Sequence, residues 1–222
     1  MTESVLFTWS GGKDSAMALY ELQMQGTCDV AALLTTVTRD YGRVSMHGVR
    51  EELLDRQARA LHLLLDKVYI GAGASNEDYE AAMRDTLYRY REQGIQRVVF
   101  GDIFLEDLRK YREDNLARVG MQALFPLWKR DTAELAHTFV DLGFKATVTC
   151  VDSEYLDRGF AGRDYDESFL ADLPPAVDPC GENGEFHSFV YDGPVFREGV
   201  RFGRGEVVIR DNRFYFCDLV PV

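Results

Sequence analysis

Ser10-Gly11-Gly12-Lys13-Asp14-Ser15 is the stretch that most restricts what this chain can fold into. Val5-Leu6-Phe7-Thr8-Trp9 precedes it and reads as a buried first strand. Ala16 to Leu22 follows, good helix formers with apolar residues at helical spacing. Strand, glycine turn and helix together make an anion cradle. Glycine lets the backbone approach a phosphate closely, and the helix start presents free N–H groups and the positive end of its dipole. Ser10 and Ser15 add hydroxyls, and Lys13 adds a point charge. The pattern is not a Walker A loop, because Phe7 stands where that loop needs a glycine and Asp14 where it needs Ser or Thr. It is not the GxGxxG dinucleotide fingerprint either, since its two glycines are adjacent.

At 222 residues the chain can bury a full core, as one large domain or a main domain with an appendage. No apolar run approaches the length of a membrane span, so no membrane partner is expected. Met1-Thr2-Glu3-Ser4 shows no basic region before an apolar stretch, which makes the cytoplasm the expected location. Lys and Arg number 25 against 37 Asp and Glu, a net charge of −12 that repels a phosphate backbone and disfavours a nucleic-acid partner. Arg109-Lys110-Tyr111-Arg112 is the one concentrated basic cluster, and a solvated helix face is its ordinary reading. The four cysteines (Cys28, Cys150, Cys180, Cys217) form no CxxC pair, which argues against a zinc or iron–sulfur site and against a disulfide framework.

Taken in order, the chain alternates strand and helix. Strands are expected at Asp29 to Val37, Lys67 to Ile70, Gln96 to Phe100 and Met121 to Leu124. Helices are expected within Gly48 to Leu65, from a Ser75 cap to Arg91, and over Leu105 to Val119. This alternation predicts an α/β fold, a parallel sheet with helices on both faces and ligands beyond the carboxyl ends of its strands. Three polar or glycine-rich stretches fall at those ends: the loop at Ser10, Thr35 to His47, and Gly101-Asp102. Asp102 suits a metal, a ribose hydroxyl or, equally, a helix cap; His47 suits a ligand contact or a cap. Arg43 and Arg50, on either side of His47, could reach phosphates or lie on the surface.

Beyond Trp128 the texture changes. A helix over Asp131 to Leu142 and a strand over Phe144 to Val151 lead into Asp152 to Asp178, which reads as a mobile, partly helical segment able to lid a site. Gly193 to Val222 reads as short strands and turns. Between them, Cys180-Gly181-Glu182-Asn183-Gly184-Glu185-Phe186-His187 gathers carboxylates, an amide, a histidine and a thiol around two glycines. Alternation from Glu185 predicts a strand with Glu185, His187 and Phe189 on one face, and ordinary hairpin chemistry explains the same letters.

The Ser10 to Ser15 loop resembles the pyrophosphate loop (PP-loop) of the N-type ATP pyrophosphatases. That loop, the Gly101-Asp102-Ile103 run, Phe125-Pro126-Leu127-Trp128 and Cys180 to Phe186 together resemble the diphthine–ammonia ligase family, in the family's order. The resemblance implies a Rossmann-like, adenine nucleotide alpha hydrolase-like domain at residues 1–128. A smaller α+β substrate domain would follow at 129–222. It also implies an enzyme, an ATP-dependent carbon–nitrogen ligase that adenylates a carboxylate and amidates it with ammonia, releasing AMP and pyrophosphate.

In that reading Ser10, Gly11, Gly12, Lys13, Asp14, Ser15, His47, Gly101 and Asp102 bind ATP, and Asp14 and Asp102 hold Mg2+. Lys13, Asp14, Glu182, Glu185 and His187 serve the chemistry. The partners are ammonia and a small-molecule or protein-borne carboxylate, and a homodimer is admitted. His187 stands where diphthamide-forming members carry a glutamate, so the chain looks closer to the family's bacterial branch and its acceptor is left open, diphthine or a cobalamin-related acid among the candidates. A tRNA-modifying pyrophosphatase and a non-catalytic nucleotide-binding protein are the alternatives.

Overall fold

The computed structural model describes residues 2–45 and 47–222; Met1 and Met46, which belong to the amino-terminal and 35–47 stretches read above, lie outside the described residues. The first half begins β1 (Glu3–Thr8), α1 (Lys13–Gln25), β2 (Cys28–Thr38), β3 (Arg43–Val44), α2 (Glu51–Leu61) and β4 (Leu65–Ile70). It continues α3 (Asn76–Glu92), β5 (Arg97–Val99), α4 (Glu106–Arg118) and β6 (Gln122–Leu124). The apolar runs became strands and the amphipathic runs helices. Gly26 ends α1 in the left-handed conformation that glycine adopts without strain. Ser75 and Asp78 cap α3 reciprocally.

β2, β1, β5 and β6 lie side by side in parallel, with β4 parallel to the far edge of β2 and the short β3 antiparallel to its end. β1 is therefore the strand at which chain order reverses, with β2 and β4 on one side and β5 and β6 on the other. In open α/β sheets that reversal opens the crevice where ligands bind. The α/β, mostly parallel architecture is the one expected from the sequence.

The second half runs α5 (Thr132–Asp141), β7 (Lys145–Asp152), α6 (Glu167–Asp172), β8 (Phe186–Asp192), β9 (Phe202–Arg210) and β10 (Phe214–Pro221). Its four strands form an antiparallel sheet in the order β8-β7-β10-β9. Two expectations are corrected here. The segment 152–178 is not a loose lid, because Leu156, Tyr165, Phe169 and Val177 are buried and the aromatic rings of Tyr165 and Phe169 pack on Phe186. Its acidic residues drew attention away from apolar anchors spaced between them. Nor are the last strands short: β9 and β10 are nine and eight residues long and pair along most of their length.

One apolar core runs without a break from Phe7, Met17 and Leu54 in the first half to Phe139, Phe186 and Phe189 in the second. A smaller core on the opposite face of the parallel sheet holds Leu6, Leu34, Val98 and Leu116. Burial of this kind stabilises by about 25 cal/mol per Å² of apolar surface. Because the larger core is shared, the antiparallel sheet is held directly against the α1 side of the parallel one. No helix among the described residues is long and apolar enough to cross a membrane.

Candidate active site

The turn after β1 puts Gly11 at φ +80°, where a side chain would be strained and its Cβ would lie 2.6 Å from Gln57 Oε1. Gln57 is fully buried on α2 and acts as the strut of this turn. Its Oε1 accepts from Trp9 Nε1 at 2.9 Å, and its Nε2 donates to the carbonyls of Gly11 (3.0 Å) and Val190 (2.6 Å). Val190 N–H also donates to the Gly11 carbonyl at 2.9 Å, so β8 is stitched to the turn. Sequence reading missed Gln57, since a glutamine on an amphipathic helix gives no signal of its own.

Gly12 caps α1 with extended backbone. The N–H groups of Asp14 and Ser15 fall in the first turn, where the helix offers no acceptor. Lys13 N–H already donates to Ser188 Oγ of β8 at 3.1 Å. Ser15 Oγ donates to the Gly12 carbonyl at 2.8 Å and lies 3.3 Å from Ser10 Oγ, so both hydroxyls edge the cradle. Gly101, at the end of β5, is pressed on the same turn: a Cβ there would lie 3.0 Å from the Asp14 carbonyl carbon and 3.1 Å from Ser15 N.

Lys13 is buried, only 4% exposed. Its ammonium donates to Asp14 Oδ1 at 2.7 Å and Oδ2 at 2.8 Å and to the carbonyl of Cys180, and it sits 5.5 Å from the Phe186 ring. Burial works against the charged lysine, but Asp14 and Glu182 outweigh it and hold its pKa above the ordinary value. Burial raises the Asp14 carboxyl above the usual carboxylate range; Lys13 opposes this, while Asp178 and Asp102 add to it. The pair is an ion pair set among further carboxylates.

The carboxy-terminal loop closes the other side. Glu182 Oε1 accepts from the N–H groups of Ile103 (2.7 Å) and Phe104 (3.3 Å), which joins the two glycine-rich stretches at 101 and 181. Burial pushes Glu182 up to about 7, against the pull of those two N–H groups. Glu185 behaves differently from its expected place on the face of His187. β8 begins one residue later, at Phe186, and the Glu185 carboxylate, 1% exposed, turns into its own loop. There it accepts from Asp178 N–H and Asn183 Nδ2 on one oxygen and Asn183 N–H on the other. It shapes the loop and does not line the cleft.

The cleft is walled by Thr8 to Ser10 and Gly12 to Ser15, by Leu34 to Thr36, by Ser45 and His47, by Phe100 to Asp102, and by Glu182, His187 and Ser188. Its volume is about 1340 Å³ including the open mouth, ample for a nucleotide with a second reactant beside it. The three stretches expected at the strand ends therefore converge. Asp102 is not a helix cap, a position held by Leu105; both its oxygens are held by Arg112 of α4, one at 3.0 Å. Arg109 and Lys110 of the basic cluster pair with Glu113 and Asp114 on the helix surface, as a solvated face would.

His47 and His187 lie in the cleft wall with ring centroids 4.6 Å apart. Burial lowers His47 to about 4 and lowers His187 well below the ordinary histidine value, and Lys13 adds to both shifts. Both imidazoles are neutral at pH 7, and Nδ1 of His47 is buried with no hydrogen-bond partner. Arg43 and Arg50 do not reach for phosphates. Both are bound to Asp218 of β10, at 2.9 and 2.7 Å, which ties the 39–50 loop to the antiparallel sheet.

The profile of the diphthamide synthase N-terminal domain matches residues 3–123, and that of the diphthamide synthase C-terminal domain matches residues 131–217. The chain belongs to the diphthamide synthase family. It is similar to a diphthine–ammonia ligase of Schizosaccharomyces pombe, 27% identical over 92% of this chain and 37% of the yeast protein. A diphthine–ammonia ligase of Danio rerio is 27% identical over 91% of this chain and 88% of the fish protein. One of Homo sapiens is 31% identical over 53% of this chain and 46% of the human protein. The chain thus spans little more than a third of the yeast relative and most of the fish one. The family resemblance read from the four sequence runs holds.

Proposed function

We propose that this chain is an ATP-dependent amide ligase that adenylates a carboxylate and passes the acyl group to ammonia. The observation that carries the reading is the open first turn of α1, set at the strand-order reversal and faced by the 180–188 loop. Family membership supports ATP as the nucleotide. The β- and γ-phosphates would rest on the N–H groups at Asp14 and Ser15, with the Ser10 and Ser15 hydroxyls at their edge. Lys13 supplies fixed positive charge beside the cradle, and preorganised charge of this sort typically contributes about 3 kcal/mol to a transition state.

A carboxylate oxygen of the acceptor attacks the α-phosphorus, and the bond to the bridging oxygen breaks with its electron pair leaving on pyrophosphate. Ammonia then adds to the acyl carbon, AMP departs with the C–O electrons, and the nitrogen sheds one proton. The neutral imidazole of His187 or the Glu182 carboxylate, both in the cleft wall, can take it. Glu185 has no direct part, since its carboxylate is spent within its loop.

Among the described residues no three His, Cys, Asp or Glu side chains form a ready-made metal cage. Magnesium needs only one or two carboxylates besides phosphate oxygens; Asp14 and Asp102 line the cleft and would hold it in place of the Lys13 and Arg112 groups that now bind their oxygens. When bound it would neutralise charge on the leaving pyrophosphate. The cytoplasm remains the expected location, and the bacterial branch the expected relationship.

The test is to offer the purified protein ATP, ammonium and fractionated cellular acids. Release of AMP and pyrophosphate that needs both an acid fraction and ammonium supports the reading; turnover that ignores ammonium contradicts it.

A further inference from the structure

A second cavity adjoins the first, and nothing in the reading so far uses it. It lies between the 38–48 loop and the antiparallel sheet, lined by Tyr41, Val44, Val208, Phe214 and Phe216, with Cys150 at its wall. Val44 and His187 line both cavities, so His187 stands on the shared wall with a face toward each. Arg43, Arg210, Asp211 and Asp218 line the second cavity as well. Of these, Asp218 is already neutralised by Arg43 and Arg50. Burial pushes the Cys150 thiol up to about 12, so the wall beside His187 carries no thiolate at neutral pH. The cavity thus sets an aromatic and aliphatic face beside charged side chains, and it shares the Val44 and His187 wall with the nucleotide cleft.

That arrangement matters for the reaction because the acceptor must reach the α-phosphorus without displacing the nucleotide. The nucleotide cleft is polar around the α1 turn, whereas the second cavity sets the rings of Tyr41, Phe214 and Phe216 beside its charged groups, flat faces on which an organic body can lie. A carboxylic acid seated there would keep its body between Tyr41 and the Phe214–Phe216 face and extend its carboxylate past His187. We propose that this second cavity is the acceptor site, and that the acceptor is a carboxylic acid carrying a ring-sized, largely apolar body. The inference rests on the ligase reading above and deepens it by naming the class of acid. Small hydrophilic acids such as acetate or succinate fill too little of the cavity to be held.

The test uses the full chain and two probes, 1-naphthylacetate and acetate, with binding followed by isothermal titration and by amide NMR shifts, without ATP. The aromatic acid is expected to bind at least tenfold more tightly than acetate and to shift residues of β9, β10 and the 38–48 loop. Val208→Trp fills the cavity from a position 39% exposed, and Tyr41→Ala removes a wall from a position 62% exposed, so both variants should fold. Each should weaken 1-naphthylacetate at least fivefold while the ATP dissociation constant moves less than twofold. Presenting the acid free and tethered to a short peptide separates a small-molecule source, where tethering abolishes binding, from a protein-borne one, where it does not; the acid class stands in either case. Equal binding of the two acids, or 1-naphthylacetate affinity unchanged in both variants, overturns the proposal. Failure of ATP itself to bind would instead count against the ligase reading, since the acid titrations are made without it.

Discussion

The ammonium of Lys13 donates to the backbone carbonyl of Cys180, 167 residues further along the chain, while it grips both oxygens of Asp14. One side chain thus locks the phosphate turn to the carboxy-terminal loop. A surface lysine in this motif could be removed with the fold intact; this one cannot. Lys13→Ala leaves the Cys180 carbonyl and a part-buried Asp14, 32% exposed, without their partner, a loss at or below the low end of the about 3–5 kcal/mol that breaking a fully buried pair costs. Chemical denaturation should show a loss of that order together with the loss of pyrophosphate release. The double variant Lys13→Met, Asp14→Asn should be markedly more stable than Lys13→Met alone, because it leaves no unpaired charge.

Gln57 offers a cleaner view of the turn, since it touches no part of the cleft. Gln57→Leu keeps the volume but leaves the carbonyl of Val190 and the indole N–H of Trp9 without their partners. Unsatisfied buried groups cost about 1–3 kcal/mol each. The expected result is a loss of about 2–4 kcal/mol in denaturation, with ATP affinity lowered as the Gly11 turn loosens.

Gly101 should tie binding to stability. Its backbone conformation suits any residue, yet a methyl group would press on the Asp14 carbonyl and Ser15 N. Gly101→Ala should therefore cost about 1–3 kcal/mol of stability by overpacking the turn and weaken ATP about tenfold, roughly 1.4 kcal/mol, in a titration.

Stability should respond to acidification in two windows, the upper one set by two histidines working against Glu182, whose pKa raised to about 7 adds stability as pH falls. His47 and His187 have pKa values lowered in the folded state, to about 4 for His47, so the unfolded chain binds more protons between there and about 6.5. Their contribution is complete above about 6.5 and is lost as pH falls further, for His47 through about 4. Asp218 is held down at about 2, chiefly by its hydrogen bonds to Arg50, so its contribution is present above about 3.9 and lost as pH falls toward 2. Asp218→Asn should shrink the lower window, which Asp152 and Glu51 share, at a cost near 1 kcal/mol given its partial exposure to solvent. His47→Gln should flatten the upper one. Denaturation midpoints measured from pH 8 to pH 2 check both.

Much of this was legible before any coordinates, for identifiable reasons. The Ser10 to Ser15 loop, the strand–helix alternation and the caps at Ser75 and Asp131 are local signals, set by spacing and by turn chemistry, and they appear in the structure. The polar stretches were expected at strand ends, and the parallel topology brought them together. What stayed hidden depends on partners far along the chain. Glu185 reads as a site carboxylate until its loop folds back and Asn183 and Asp178 occupy it. Arg43 and Arg50 read equally as phosphate contacts or surface charges until Asp218 of β10 claims both. Gln57 gives no hint in one dimension of the three bonds it makes. The 152–178 segment looked loose because acidic residues recur through it, whereas its aromatic anchors meet only in three dimensions.

The position at which ATP is cut tests the account most directly. The protein would be incubated with ATP, ammonium and an acid fraction that supports turnover, and the products followed by phosphorus NMR. Seating of the outer phosphates on the first turn of α1 predicts AMP and pyrophosphate in equal amounts. ADP and orthophosphate as the only products would contradict it.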